Sequence, residues 1–256
     1  QWDESYSWAR EFIDENRRGS VPKGFMDLLD VGDLVYLSVE NDQVKLDQIP
    51  QAQSSLISFN PKTGEVLSYV GGSVFNNSQF DRVRQSYPQS GSVFKPFIYA
   101  SAFSRGYNPS SLINDAPIIF EDENLETFWR PENYSGKFYG LTTLREALVQ
   151  SINIVSIKLL REIGIKKSSE TVDNFGFEVE RLPQDLSLAL GSGNFSPAEV
   201  ARGFSVFANN GMISDIHYVD KIKDKNGDII FDHSEIDAVN ISSISAFPWL
   251  NTVQLD

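Results

Sequence analysis

The sequence predicts an α+β fold in which short antiparallel hairpins come first and helices follow. Two turn signals indicate the hairpins. Residues 41–42 (ND) interrupt the alternating apolar residues of segment 31–49, and residues 60–64 (NPKTG) separate two strand-like segments. A third observation indicates the helices, because residues 196–199 (SPAE) place an N-cap serine before a proline and a glutamate.

The composition is that of a folded, acidic protein. Of 256 residues, 41% are hydrophobic and 12% are aromatic, which is enough to bury a sizeable core. The net charge of −13 argues against a nucleic acid partner and against an anionic membrane surface. The chain has no cysteine, and His217 and His233 lie far apart in sequence, so we predict no metal and no cofactor.

Three hairpins are expected. The first lies in segment 31–49 and, with the residues before it, forms part of a small all-β module over residues 1–48. The second pairs residues 54–59 with 65–70, and the third pairs residues 219–222 with 228–231 across the turn at Asn226-Gly227. Residues 106–140 are predicted to be rich in loops.

Four helical segments are also expected. Residues 94–103 (FKPFIYASAF) are apolar, and Pro96 fits a helix only in its first turn, which places the start near Ser92 and Val93. Residues 143–146 (TLRE) are typical of a capped helix start, and residues 154–163 have helical apolar spacing. The SPAE segment starts a helix that runs to about Asn209.

The chemistry-bearing candidate is the tetrad Ser92-Val93-Phe94-Lys95. Residues three apart share one face of a helix, so a hydroxyl and an amine come within reach of each other. A serine beside a base is the minimum arrangement for an activated nucleophile. The alternative is an ordinary exposed helix face, which most such tetrads form.

Other segments add candidates of different strength. Ser151-Ile152-Asn153 follows the TLRE helix and supplies a second serine and a carboxamide. Trp129 lies in the aromatic segment 128–134 (FWRPENY), which could line a substrate site, although such segments more often pack.

With Ser92, Lys95, Ser151 and Asn153 together, the chain resembles the transpeptidase region of class A penicillin-binding proteins, whose motifs include S-x-x-K and an S-x-N form. The likeness extends to longer stretches in the same order, over roughly residues 50–231: GEVLSYVGG, FDRVRQSYPQSGSVFKPFIYASAF, LREALVQSINIVSIKLL and LALGSGNFSPAEVARGFSVFANNG. Residues 1–49 resemble the end of an OB-like module that one subgroup carries before the transpeptidase.

The resemblance implies a fold and a reaction. The fold would be that of penicillin-binding proteins and β-lactamases, an antiparallel sheet with helices on both faces, over residues 49–256. Ser92 would attack the penultimate D-Ala carbonyl of a peptidoglycan stem peptide and form an acyl-enzyme, with Lys95 as general base. Ser151 would relay a proton, Asn153 would donate to the acyl peptide and hold Lys95, and the Ser92 backbone N–H would supply half of an oxyanion hole.

The resemblance also implies partners and a location. The expected partners are donor and acceptor stem peptides and β-lactam antibiotics. The parent protein would carry an N-terminal glycosyltransferase domain and a membrane anchor, with this region on the periplasmic side of the inner membrane.

One departure from the family pattern limits these expectations. The only Lys-Thr-Gly lies at residues 62–64, on a hairpin tip before Ser92, whereas the family places that motif on a strand after S-x-N. We therefore expect a fragment that is incomplete at its C-terminus, lacks the K-T-G strand and is weakly active alone. The alternatives are a non-catalytic cell-wall scaffold, or a hydrolase of the D,D-carboxypeptidase or β-lactamase type.

Overall fold

The computed structural model describes residues 4–48, 52–121 and 128–233 in two compact units, Gln1–Gln53 and Ser54–Asp256. The boundary at Gln53 lies close to the division predicted after residue 48. Beyond Asp232 the sequence shows neither a further domain nor a repeat, and this segment lies almost entirely outside the described residues.

The first unit is built from short strands and single helical turns. Strands β1 (Phe12–Asp14) and β2 (Arg17–Arg18) pair, as do β3 (Tyr36–Glu40) and β4 (Gln43–Asp47). The predicted hairpin is confirmed, and Asn41 and Asp42 at its tip have φ values of 50° and 62°. Positive φ at both central residues is the requirement of a type I′ turn, which asparagine and aspartate tolerate better than other residues.

The second unit contains four strand pairs, all antiparallel. These are β5 (Leu56–Phe59) with β6 (Val66–Val70), β7 (Leu112–Asp115) with β10 (Gly140–Thr143), β8 (Phe120–Glu121) with β9 (Phe128–Trp129), and β11 (Lys221–Lys223) with β12 (Ile229–Asp232). The two predicted hairpins of this unit are confirmed. Within the described residues each sheet has two strands, so the broad sheet that the resemblance implies is not assembled there.

The described part of residues 106–140 is rich in loops, as predicted, but the pairing of β7 with β10, which begins at Gly140, was not predicted. These strands pair across a long intervening segment, with Leu112 opposite Thr143 and Asp115 opposite Gly140. No local turn signal marks such a pairing, because the turn chemistry that reveals hairpins acts over only a few residues.

Five α-helices lie within the described residues: α1 (Lys95–Phe103), α2 (Leu144–Val149), α3 (Asn153–Ile163), α4 (Ile165–Asp173) and α5 (Pro197–Ala208). The predicted starts are confirmed by their caps. Thr143 accepts from the Glu146 N–H, and Ser196 and Glu199 form a complete capping box. Helix α4 was not predicted.

An aromatic cluster fixes the helix that carries the tetrad. Phe94 and Phe97 are fully buried and contact Phe177 with ring centroids 5.3 and 4.8 Å away. Phe195 stacks on Phe94 at 5.5 Å. Burying each phenylalanine stabilises the fold by about 1.5–3 kcal/mol, so this cluster fixes the position of the start of α1.

Candidate active site

Ser92 and Lys95 lie at the start of α1, as predicted. A 3-10 turn, Gly91–Phe94, runs directly into the helix, and the Lys95 N–H donates to the Ser92 carbonyl oxygen. Pro96 occupies the first turn of α1, where its missing N–H is not needed. Ser92 is exposed, whereas Lys95 is 1% exposed, so the nucleophile candidate faces solvent and the amine lies inside.

Backbone hydrogen bonds fix the chain just before Ser92. Ser90 N–H donates to the Gly193 carbonyl at 3.0 Å, and Gly91 N–H donates to the Gly191 carbonyl at 2.8 Å. The Ser90 hydroxyl lies 3.1 Å from both of these carbonyl oxygens. We call this contact of residues 88–91 with residues 191–195 the backbone pairing.

The backbone pairing requires glycine at position 191. Gly191 has a φ of 72°, and a Cβ atom there would lie 1.8 Å from the Gly91 carbonyl oxygen. No side chain fits at that distance, and the left-handed backbone also disfavours every residue with a Cβ atom. The sequence did not indicate this role, although Gly191 ends the apolar run of residues 186–190.

Three of the four predicted site residues meet around one amine. Lys95 Nζ donates to the Ser151 carbonyl at 2.6 Å, lies 3.0 Å from Ser151 Oγ and donates to Asn153 Oδ1 at 2.8 Å. Among the contacts of the described residues there is no hydrogen bond between Ser92 Oγ and Lys95 Nζ. In unliganded catalytic sites such bonds are often long and tighten only with substrate.

Burial lowers the pKa of Lys95 from 10.5 to about 8. The physical cause is desolvation, because an ammonium group removed from water is disfavoured relative to the neutral amine. An appreciable neutral fraction is therefore present at mildly alkaline pH, which a general base needs.

Ser151 holds a strained backbone conformation. Its φ is 54°, in the left-handed region that costs a non-glycine residue about 1–2 kcal/mol. The residue lies between α2 and α3 and presents both its carbonyl and its hydroxyl to Lys95. Strain of this kind persists where surrounding contacts determine the conformation, and such residues cluster at functional sites.

Asn153 is the first residue of α3, and its carboxamide has one orientation. Its Nδ2 donates to the Glu132 carbonyl at 2.9 Å, which leaves Oδ1 facing Lys95. The backbone N–H of Asn153 donates to Asn133 Oδ1 at 3.0 Å. Asn133 was not singled out from the sequence as a site residue.

Trp129 lies at a packing position. It is on β9, opposite Phe120, and is partly buried against the hydrophobic core. Its proposed contact with substrate stays a prediction.

The Lys62-Thr63-Gly64 tripeptide lies on the β5–β6 turn, as predicted. The Gly64 carbonyl accepts from the His217 N–H at 3.0 Å, and the Ser214 hydroxyl donates to the Lys62 carbonyl at 3.0 Å. These contacts hold the turn against residues 214–217.

Neither a cluster of metal-binding side chains nor a membrane-spanning helix is found in the described part of the chain. No group of three or more histidine, aspartate or glutamate side chains could hold a metal ion within the ranges 4–48, 52–121 and 128–233. In the same ranges, no helix has the length and apolarity needed to cross a bilayer.

Comparison with known proteins extends the likeness beyond the short motifs. Residues 55–247 match the family model of the penicillin-binding protein transpeptidase domain, and residues 2–52 match that of the penicillin-binding protein OB-like domain. The chain is 42% identical to penicillin-binding protein 1A of Pseudomonas aeruginosa over 231 residues, which is 90% of this chain and 28% of the relative. It is 36% identical to penicillin-binding protein 1A of Escherichia coli over 90% of this chain and 27% of that protein.

A solved structure agrees. The crystal structure of penicillin-binding protein 1A from Haemophilus influenzae matches with a TM-score of 0.75 and 35% identity, over 80% of this chain and 31% of that one. The present chain thus spans just over a quarter of the length of the curated relatives named above. With matching models over both units and a mixed helix and sheet fold of the same kind, the chain belongs to the penicillin-binding protein transpeptidase family.

Proposed function

We propose that this chain carries out the D,D-transpeptidase step of peptidoglycan cross-linking through an acyl-enzyme at Ser92. Ser92 Oγ attacks the penultimate D-Ala carbonyl of a stem peptide, the C–N bond to the terminal D-Ala breaks, and an amine of a neighbouring stem peptide then takes the acyl group. The observation that carries this proposal is the buried Lys95 amine, three residues from Ser92 and bound by Ser151 and Asn153.

Lys95 is the general base of this proposal. With a pKa of about 8, its neutral form increases as the pH rises through that value, and only the neutral amine can accept the Ser92 proton. We expect the rate of acylation to rise with pH and to level off above about 8.

The acceptors around Lys95 fit both of its protonation states. A charged ammonium has three protons to donate, and three oxygens lie around it. A neutral amine has two protons and one lone pair. The Ser151 carbonyl and Asn153 Oδ1 can only accept, whereas the Ser151 hydroxyl can also donate. Ser151 is therefore suited to pass a proton between Lys95 and the leaving amine.

The Ser92 backbone N–H is the proposed oxyanion donor. It lies in the first turn of the continuous 3-10 and α1 segment, where N–H groups have no partner within the helix. A second donor is needed for a complete hole, and the one Lys-Thr-Gly of this sequence is bound to residues 214–217.

The whole protein is proposed to work at the periplasmic face of the inner membrane, with a membrane anchor and a glycosyltransferase domain, as the family resemblance implies. β-Lactams would acylate Ser92 as substrate mimics. A fold neighbour, PonA1 of Mycobacterium tuberculosis, is solved in complex with penicillin V, with a TM-score of 0.62 and 22% identity over 72% of this chain and 52% of that one.

The direct test is labelling of the full-length parent protein with a fluorescent penicillin, followed by peptide mapping. We expect one adduct, on Ser92, which Ser92→Ala abolishes and which Ser110→Ala, a change at another exposed serine, leaves unchanged. No adduct on the wild type, or an adduct that survives Ser92→Ala, would contradict the proposal.

Two comparisons separate the alternatives. Release of D-Ala from a D-Ala-D-Ala peptide, with and without an acceptor amine, distinguishes a transpeptidase from a carboxypeptidase. We also expect the 256-residue chain alone to label more slowly than the parent, and equal rates would show that a K-T-G strand is dispensable.

A further inference from the structure

We propose that Asn133 and Asp115 are positioning residues that hold Asn153, and through it Lys95, in the arrangement needed for acylation. Neither residue touches Lys95 among the described contacts. The proposal rests on the proposed function for its kinetic consequence, but the arrangement itself is a property of the fold.

The N-terminus of α3 lacks an ordinary cap. The N-cap residue is Ile152, whose apolar side chain cannot accept a hydrogen bond. Asn133 takes over this role from a distant loop, because its Oδ1 accepts from the Asn153 N–H at 3.0 Å and from the Ile154 N–H at 3.1 Å. Asn133 is only 6% exposed, so water does not substitute for it readily.

Asp115 determines which way the Asn133 carboxamide points. Asn133 Nδ2 donates to both carboxylate oxygens of Asp115, at 3.0 and 2.9 Å, and to the Lys137 carbonyl at 2.8 Å. The Tyr139 N–H also donates to Asp115, at 2.9 Å, and Asp115 is 1% exposed. A reversed carboxamide would bring Oδ1 against the carboxylate, so a single orientation remains and it faces Oδ1 towards α3.

Asn153 connects this buried pair to the amine. Its backbone is held by Asn133, its Nδ2 is held by the Glu132 carbonyl, and its Oδ1 accepts from Lys95 Nζ. Residues 132 and 133 therefore fix both the position and the rotation of Asn153. Displacing Asn153 removes one acceptor of Lys95 and opens the amine to water, so its pKa would return towards 10.5. Burial is the cause of the lowered pKa, without a contribution from a charged side chain.

If Asn133 only capped α3, its removal would lower the stability of the fold and leave acylation unchanged. A control substitution that removes another buried helix cap is therefore needed. Ser196 caps α5, is 3% exposed and makes no described contact with Lys95, Ser151 or Asn153. Ser196→Ala should destabilise the fold to a similar degree without changing the site.

The experiment measures the rate of Ser92 acylation against pH in the full-length parent. For Asn133→Ala and Asp115→Ala we expect acylation to slow by about 10²-fold, the penalty typical of a small misplacement of reacting groups, and its pH midpoint to move upward from about 8. Asp115→Asn, which keeps one acceptor for the Asn133 amide, should retain most of the rate. Ser196→Ala should keep both the rate and the midpoint.

A second readout does not depend on activity. Reductive methylation of Lys95, followed by mass spectrometry and compared at equal neutral fraction of the amine, should be slow in the wild type and in Ser196→Ala, where the amine is buried, and faster in Asn133→Ala, where it is open to water. If the alanine variants do not fold, the same measurement on Asp115→Asn decides, and a smaller increase in methylation over the wild type is expected there.

The outcomes separate the two proposals. A wild type without an adduct at Ser92 refutes the proposed function, while the methylation rates still test the positioning role. A folded Asn133→Ala with the wild-type methylation rate and pH midpoint would overturn the positioning role, as would an Asp115→Asn that loses as much as Asp115→Ala.

Discussion

Two turns are close to Lys95: one precedes it in sequence, and the other contacts its amine. Different kinds of hydrogen bond fix these two turns. The Ser92 turn, residues 88–92, is held to residues 191–195 by backbone hydrogen bonds, to which only the Ser90 side chain adds a contact. The Ser151 turn, residues 150–153, is contacted from more distant parts of the chain mainly by side chains, those of Lys95 and Asn133. The nucleophile thus depends on main-chain geometry, while the base depends on a network of individual polar groups.

This difference predicts two kinds of sensitivity. A turn held mainly by main-chain hydrogen bonds should tolerate side-chain changes, except at Ser90, whose hydroxyl joins them, and where a side chain prevents the two backbones from approaching. A turn held by buried side chains should respond to each substitution, because every removed partner leaves a polar group unsatisfied. Lys95 Nζ is bound within the Ser151 turn, so a change of pH that alters the charge of Lys95 should affect this turn.

The largest effect is expected from Gly191→Ala. The added Cβ atom would lie 1.8 Å from the Gly91 carbonyl oxygen, in a backbone conformation that alanine disfavours. We expect a loss of about 2–5 kcal/mol in the free energy of unfolding, from strain and overpacking together. Acylation of Ser92 should be lost with it, and denaturant melts with penicillin labelling check both.

Gly164→Ala is the matched control. Gly164 also has a positive φ, of 86°, but a Cβ atom there would meet nothing within 4 Å beyond its chain neighbours. With a φ of 86° and a ψ of 138°, a conformation that residues with a Cβ atom rarely adopt, the variant should lose about 1–3 kcal/mol from backbone strain and keep its acylation rate. An equal loss of acylation in the two variants would show that the backbone pairing at position 191 is not specifically required for the Ser92 site.

A smaller difference in stability is expected in the Ser151 turn, and here glycine should be the more stable of two substitutions. Ser151→Gly and Ser151→Ala both remove the hydroxyl, so both should slow acylation by about 10²–10⁴-fold, the usual contribution of a proton-transfer group. Glycine also relieves the left-handed strain at φ 54°, partly offset by its greater freedom in the unfolded chain. Ser151→Gly should therefore be about 0.5–1 kcal/mol more stable than Ser151→Ala.

Thermal and denaturant unfolding of this pair provide the measurement. A glycine variant less stable than the alanine variant would mean that the Ser151 conformation is not strained. Acylation at the wild-type rate in either variant would remove Ser151 from the proton path.

The features that the sequence predicted correctly are local ones. The helical segment that begins around Ser92, the first-turn position of Pro96 and the capping box at Ser196 each depend on residues within one helical turn. The family's motifs then added Ser151 and Asn153, which the structure brings to Lys95.

The features that were missed are non-local. Asn133 caps a helix that begins twenty residues later along the chain, and Asp115 orients it from a strand eighteen residues earlier. Only one signal was available: Ile152 stands where an N-cap side chain is expected, which implies a partner from elsewhere. The contact between Gly91 and Gly191 had no local signal either, since two glycines distant in sequence do not indicate that they meet.

The pKa of Lys95 also sets a dependence of stability on pH. Because the folded-state pKa, about 8, lies below the unfolded value of 10.5, the folded state binds fewer protons between these values. Burial of the charged amine therefore destabilises the fold below about pH 8, and this penalty is relieved as the pH rises towards 10.5.

The central claim is that Lys95 is a buried base three residues from the nucleophile candidate Ser92. Titration of the Lys95 amine tests this claim most directly. Heteronuclear NMR of lysine-labelled protein, with the Lys95 signal assigned by Lys95→Arg, gives the pKa without any substrate. The account predicts a midpoint near 8. A midpoint near 10.5, the value of a lysine in water, would contradict it, because such an amine would be charged and unable to accept the Ser92 proton at neutral pH.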